Sequence, residues 1–135
     1  MSIRNQARDK GIRMDLHVHS KHSSGSSQWL LHKLNCPESF SEPRVIYDRA
    51  RNKGMDLVTI TDHDSLAGSL DIAHLENTFL SEEITAFFPS DECAVHVLAL
   101  DITEKQHREI QKLRGNIHEL TRYLRAEAIF HAAAH

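Results

Sequence analysis

Cysteine is scarce in this 135-residue chain: Cys36 and Cys93 lie far apart and outside any CxxC pattern. That spacing indicates neither a zinc knuckle nor a disulfide framework, so reduced thiols in a cytoplasmic protein are the expectation. Long apolar runs are missing as well. No stretch approaches the roughly 20 apolar residues that a membrane span needs. Residues 1–11, polar and mixed in charge, lack the apolar centre of a signal peptide. An excess of basic charge is also absent. Sixteen Lys and Arg against 19 Asp and Glu give a formal net charge of −3, which argues against a mainly electrostatic nucleic-acid binder. No internal repeat or low-complexity tract occurs. With 40% hydrophobic and 26% charged residues, the composition is that of an ordinary globular protein of one domain.

Histidine, by contrast, is abundant: 11 are spread along the chain, which suits ligands contributed by several separate elements. Met14 to Ser20 alternates apolar and polar residues as a strand does, and His17 and His19 stand two apart within it. On a strand such residues share a face, roughly 7 Å apart along the chain. Taken alone, His-x-His also describes a histidine pair on an exposed strand edge.

Residues 1–11 read as an N-terminal arm, and Ile12 to His19 as the first strand. A Ser-rich stretch then leads through Trp29 to a loop around Pro37, a long connection of the kind that often binds ligands. A helix is expected from near Ser41, with Pro43 in its first turn and Gly54 at its C-terminal cap. Met55 to Thr61 reads as a second strand ending in Thr61-Asp62-His63-Asp64, followed by a short helix through about Ala73. Thr78 to Phe88 contains a third strand and Cys93 to Leu100 a fourth. Thr103 to Ala126 reads as one helix, opened by a Thr103/Gln106 capping box, with Gly115 as its weak point. Ala128 to His135 suits either a helix extension or a fifth strand. This order implies an α/β fold with about five mainly parallel strands.

In such folds working residues gather at the carboxyl ends of strands. His17 and His19 end the first strand, His63 the second and Glu83 the third; His96 lies on the fourth, and His135 would close a fifth. Imidazole nitrogen with carboxylate oxygen suits zinc, manganese or iron. One carboxylate among several imidazoles suits a bridge between two ions, an arrangement used for hydrolysis at phosphorus. Asp15 and Asp62 each precede a histidine by one or two residues, and read either as acceptors that orient imidazoles or as strand-end turn residues. His131 and His135 are four apart, but only alanines separate them, so a zincin-type metalloprotease is a poor fit.

Met14-Asp-Leu-His-Val-His-Ser20, together with Thr61-Asp-His-Asp64, resembles motifs I and II of the PHP (polymerase and histidinol phosphatase) domain, which read D-L-H-x-H-[ST] and T-D-H. Glu83-Ile84, His96 within Val-His-Val-Leu, and His135 follow in the order of that family's later ligands. The resemblance covers residues 12–135 and implies the N-terminal part of a distorted (β/α)7 TIM-like barrel holding one to three divalent ions. By position, His17 and His19 would ligate a first ion, with Glu83 bridging to a second that His96 and His135 complete. His63 would serve a third. Glu82 rivals Glu83 for the bridge, and Glu83 is preferred because the isoleucine after it matches the pattern.

Two departures stand out. Ser24 occupies a position where the family usually has Asp or His, with His22 as a substitute or simply a loop histidine. The closing Asp-x-His motif and the last strands of the barrel are absent from these residues. The implied function is metal-dependent hydrolysis of a phosphoester by a metal-bound hydroxide, with a phosphorylated small molecule or nucleotide as substrate. Lys21 and His22, beside the first motif, are either phosphate contacts or ordinary loop polarity. The alternatives are a truncated, catalytically incomplete metal-binding or assembly domain that self-associates through open sheet edges, and an amide-bond metallohydrolase. The Ser/Trp loop and Gly54-Met-Asp-Leu-Val58 further resemble PHP proteins associated with glycosyltransferases.

Overall fold

The structure, a computed structural model, describes residues 11–23 and 41–134. Nearly all of the expected arm, the Ser/Trp loop, Ser24, Cys36 and His135 therefore lie outside the described residues. The first helix, α1 (Pro43–Asn52), begins where Pro43 costs no hydrogen bond, and is followed by Gly54 at φ 80°, a conformation that glycine adopts without strain. A short helix, α2 (Ala67–Ile72), follows. Strands β1 (Ser81–Phe87) and β2 (Ala94–Leu100) come next, then α3 (Glu104–Leu113), α4 (Ile117–Ala126) and β3 (Phe130–Ala133).

The sheet differs from the expected barrel. Among the described residues it is an open, three-stranded antiparallel sheet in the order β1-β2-β3. The turn between β1 and β2 explains the direction. Phe88 N donates to Cys93 O at 3.0 Å, closing a tight turn, whereas a parallel pair needs a crossover of a dozen or more residues. The two stretches expected as first and second strands are extended without forming a regular ladder. Threonines of the second take up backbone positions instead: Val18 N donates to Thr61 Oγ1 at 2.9 Å, and Thr59 Oγ1 donates to Phe79 O at 2.7 Å. Among the described residues, parallel pairing survives only as isolated bridges, Val58 to Thr78 and His63 to Glu83.

The expected single helix over 103–126 is two helices. Both halves of the Thr103/Gln106 capping box are formed at the start of α3, and the chain breaks at Arg114-Gly115-Asn116. Asn116 then caps α4 by accepting from His118 N at 3.0 Å. Helix propensity is lowest at Gly115, and a good cap one residue later makes the break favourable.

Side chains on β1 alternate between two environments, as period two requires. Ile84 and Ala86 face α3 and α4, packing with Val97, Ala99, Ile110, Leu120 and Leu124 into the larger core. Glu83 faces the other way. A smaller core of Val58, Ile60 and Ile72, flanked by Ile46 and Tyr47 of α1, anchors the segment that carries His63. Among the described residues no helix is long and apolar enough to cross a membrane.

Candidate metal centre

Glu83 is the hub of the site. The bridge between His63 and Glu83 sets them side by side: Glu83 N donates to Asp62 O at 3.0 Å and Asp64 N to Glu83 O at 2.9 Å. Asp64 continues the clamp at φ 50°, accepting from Thr85 N at 2.8 Å and from Arg114 Nη1 at 3.4 Å. Arg114 thus ties the α3–α4 break to the strand that carries the hub.

Four imidazoles converge on the Glu83 carboxylate. His17 Nε2 lies 2.7 Å and His19 Nε2 2.9 Å from Oε2, with His63 Nε2 at 3.6 Å. On the other oxygen, His96 Nδ1 lies 3.2 Å from Oε1. His96 pairs with Thr85 across the hairpin, which sets it diagonal to Glu83 on one sheet face. The rings pack as well as converge: those of His19 and His63 stack at 4.9 Å, and His63 meets His96 edge-on at 4.8 Å.

These donors form two groups that share Glu83. One is His17, His19 and Glu83; the other is His63, Glu83 and His96; within each, the ligating atoms lie within 4.8 Å of one another. Imidazole nitrogens with a carboxylate oxygen suit a borderline divalent ion, so the residues present fit such a group. His63, expected to serve a third ion, lies in one group with Glu83 and His96. Burial alone would raise the Glu83 pKa. Hydrogen bonds from His19 and His17, with the charges of His63 and His17, outweigh it and hold the carboxyl at about 2. The hub is therefore ionised across the working pH range.

Glu82 points to the opposite face, where Oε1 lies 2.9 Å from His107 Nδ1 and Oε2 accepts from Gln111 Nε2 at 3.2 Å. Asp62 spends both carboxylate oxygens on Ser20, accepting from its N–H and its hydroxyl at 2.6 Å each. Asp15 accepts from His17 N at 3.2 Å, a backbone contact on an exposed segment. Lys21 and His22 are paired with Glu42 and Asp71, each at 2.8 Å. His131 donates from Nδ1 to Ile129 O at 2.8 Å, on the sheet face away from Glu83.

Sequence reasoning missed Ser23 and Gly68. The Ser23 hydroxyl lies 3.2 Å from His19 Nδ1 and accepts from His63 N at 3.1 Å. The only signal was its place four residues after His19 within a Ser-rich stretch. Gly68 lets α2 approach closely: a Cβ there would come within 2.6 Å of Ser20 Oγ and collide with Asp62 Oδ2.

No protein-family model matches the chain. Over 68 residues it is 40% identical to an uncharacterized protein of Methanocaldococcus jannaschii, a stretch that is 50% of this chain and 38% of that protein. Solved structures similar to the chain include two hydrolases by description. One, from Bifidobacterium adolescentis, is provisionally described as a metal-dependent phosphoesterase; it shares 25% identity at a TM-score of 0.44 over 76% of this chain and 34% of its own. The other is an amidohydrolase from Chromobacterium violaceum with bound sulfate and no metal, 22% identical at a TM-score of 0.48 over 76% of this chain and 34% of its own. Both are hydrolases by description, and the chain spans little more than a third of each of these three proteins.

Proposed function

We propose that this chain carries the metal-binding part of a PHP-type phosphoesterase, with His17, His19, His63, Glu83 and His96 as ligands and His135 as a further candidate. The single observation that supports it is the sharing of one buried carboxylate by two groups of imidazoles. A carboxylate shared in this way would hold two cations, an arrangement used for hydrolysis at phosphorus. When bound, divalent ions supply Lewis acidity and lower the pKa of water. The protein's part is positional. Glu83 stays ionised and supplies the negative charge between the groups, while the 63–83 bridge and the Asp64 clamp fix two ligands on one rigid strand pair. A phosphorylated small molecule or nucleotide is the substrate class that this chemistry fits.

Metal analysis of the purified protein, with hydrolysis of a generic aryl phosphate in added manganese or zinc, tests the proposal. His17→Ala and Glu83→Ala should lose both metal and turnover. Turnover equal to wild type in both variants would sink the assignment.

A second reading, a metal-holding domain without turnover, is favoured by the exposed face of the sheet, where Phe130 is 66% exposed on an open edge strand. Pairing of that edge with a second copy is its natural consequence. Metal retained without any hydrolysis, together with a dimer in light scattering, would select this reading over the first.

A further inference from the structure

We propose that Ser23 is a positioning residue that links the two halves of the centre, its hydroxyl serving His19 in both the ion-free and the ion-loaded protein; this rests on the metal-dependent reading of the site. Its placement is built from the core outward. Asp62 holds Ser20 by two 2.6 Å hydrogen bonds, and Ser23 N donates to Ser20 O at 3.1 Å, closing a turn. That turn sets the Ser23 hydroxyl, on a residue only 1% exposed, against the His19 ring and the His63 backbone. One oxygen therefore touches a ligand from each group.

Donor and acceptor counting shows why a hydroxyl suits this position. The His63 N–H can only donate, so Ser23 Oγ accepts it with one lone pair. In the ion-free protein His19 Nε2 lies 2.9 Å from Glu83 Oε2, and the tautomer that donates from Nε2 leaves Nδ1 as an acceptor. Its Nδ1 is then bare and takes a hydrogen bond from the Ser23 O–H, 3.2 Å away. An ion on Nε2 requires the proton to sit on Nδ1 instead. Ser23 Oγ then accepts from that N–H with its second lone pair, by rotating its own hydrogen away. A carbonyl could serve only the loaded form and an ammonium only the empty one. A hydroxyl serves both, so ion loading and release need no rearrangement of the turn.

Zinc titration by calorimetry on wild type, Ser23→Ala and Ser23→Thr tests this, with His96→Ala marking loss of the other half. Proton NMR of the zinc-loaded protein follows the His19 Nδ1–H. Ser23→Ala should weaken zinc at the His17/His19 half by about 10–100-fold, the usual cost of losing such a partner. It should also expose the Nδ1–H to rapid exchange with water, while circular dichroism stays unchanged. Ser23→Thr should restore both. Unchanged affinity with a protected Nδ1–H in Ser23→Ala would overturn the role of Ser23 and leave the metal site standing. Failure of wild type to bind zinc would overturn the two together. Should Ser23→Ala not fold, Ser23→Cys, whose thiol is a weaker partner, should show an intermediate loss; wild-type affinity there would equally overturn the role.

Discussion

Glu82 and Glu83 are chain neighbours, both fully buried, yet they belong to different halves of the molecule. Period two along β1 turns Glu82 toward α3 and Glu83 toward the four imidazoles. Burial raises the pKa of each, but the outcomes diverge. For Glu82 it wins over the hydrogen bond and charge of His107, so its carboxyl sits above the usual range. For Glu83 several imidazoles together win, and the carboxyl falls to about 2. The larger number of imidazoles around Glu83, together with its less densely enclosed surroundings, separates the two carboxyls. One side of the strand is thereby a packing surface with a polar inset, and the other a candidate cation site.

If that division holds, substitutions on the helix side should cost stability and leave metal binding intact. Ile84→Ala, on a fully buried residue, should have the largest effect, about 4 kcal/mol in chemical denaturation. Its zinc affinity in the folded fraction should match wild type; a parallel loss of zinc would break the division. Gly68→Ala joins the two sides, because the added methyl collides with the Asp62–Ser20 pair beneath the histidine turn. About 2–3 kcal/mol of destabilisation together with weaker zinc binding is expected, and a stability loss alone would detach that pair from the site.

His107→Ala should be milder, about 2 kcal/mol, because Gln111 still serves Glu82. Its pH dependence has a defined sign. The Glu82 hydrogen bond raises the His107 pKa above 6.5, against the opposing effect of burial. The stabilisation is therefore complete below the unfolded value and lost as pH rises through the folded one. Denaturation midpoints of wild type and His107→Ala should converge in alkaline buffer. A gap that widened with pH would contradict the pairing.

Much of the element order was legible because local signals were strong. Pro43 and Gly54 bracket α1, the Thr103/Gln106 box opens α3, and β1 and β2 fall within apolar stretches bounded by turn residues. Strand direction was misjudged. It depended on six residues, Phe88 to Cys93, closing a turn, and the α/β order of elements pointed elsewhere. The preference for Glu83 over Glu82 rested on a neighbouring isoleucine, whereas what separates them in space is strand parity. Asp62 looked like a partner for imidazoles because it adjoins His63. Both its carboxylate oxygens accept from Ser20, 42 residues away, a pairing that sequence spacing cannot express. Ser23 was hidden for the same reason: its hydroxyl matters through a turn held by that distant aspartate.

Metal stoichiometry of wild type, Glu83→Gln and Glu82→Gln, measured by elemental analysis after zinc loading and gel filtration, bears most directly on the central claim. With two donor groups sharing Glu83, wild type and Glu82→Gln should each retain two ions per chain and Glu83→Gln none. Two ions retained by Glu83→Gln, or none by folded Glu82→Gln, would contradict it.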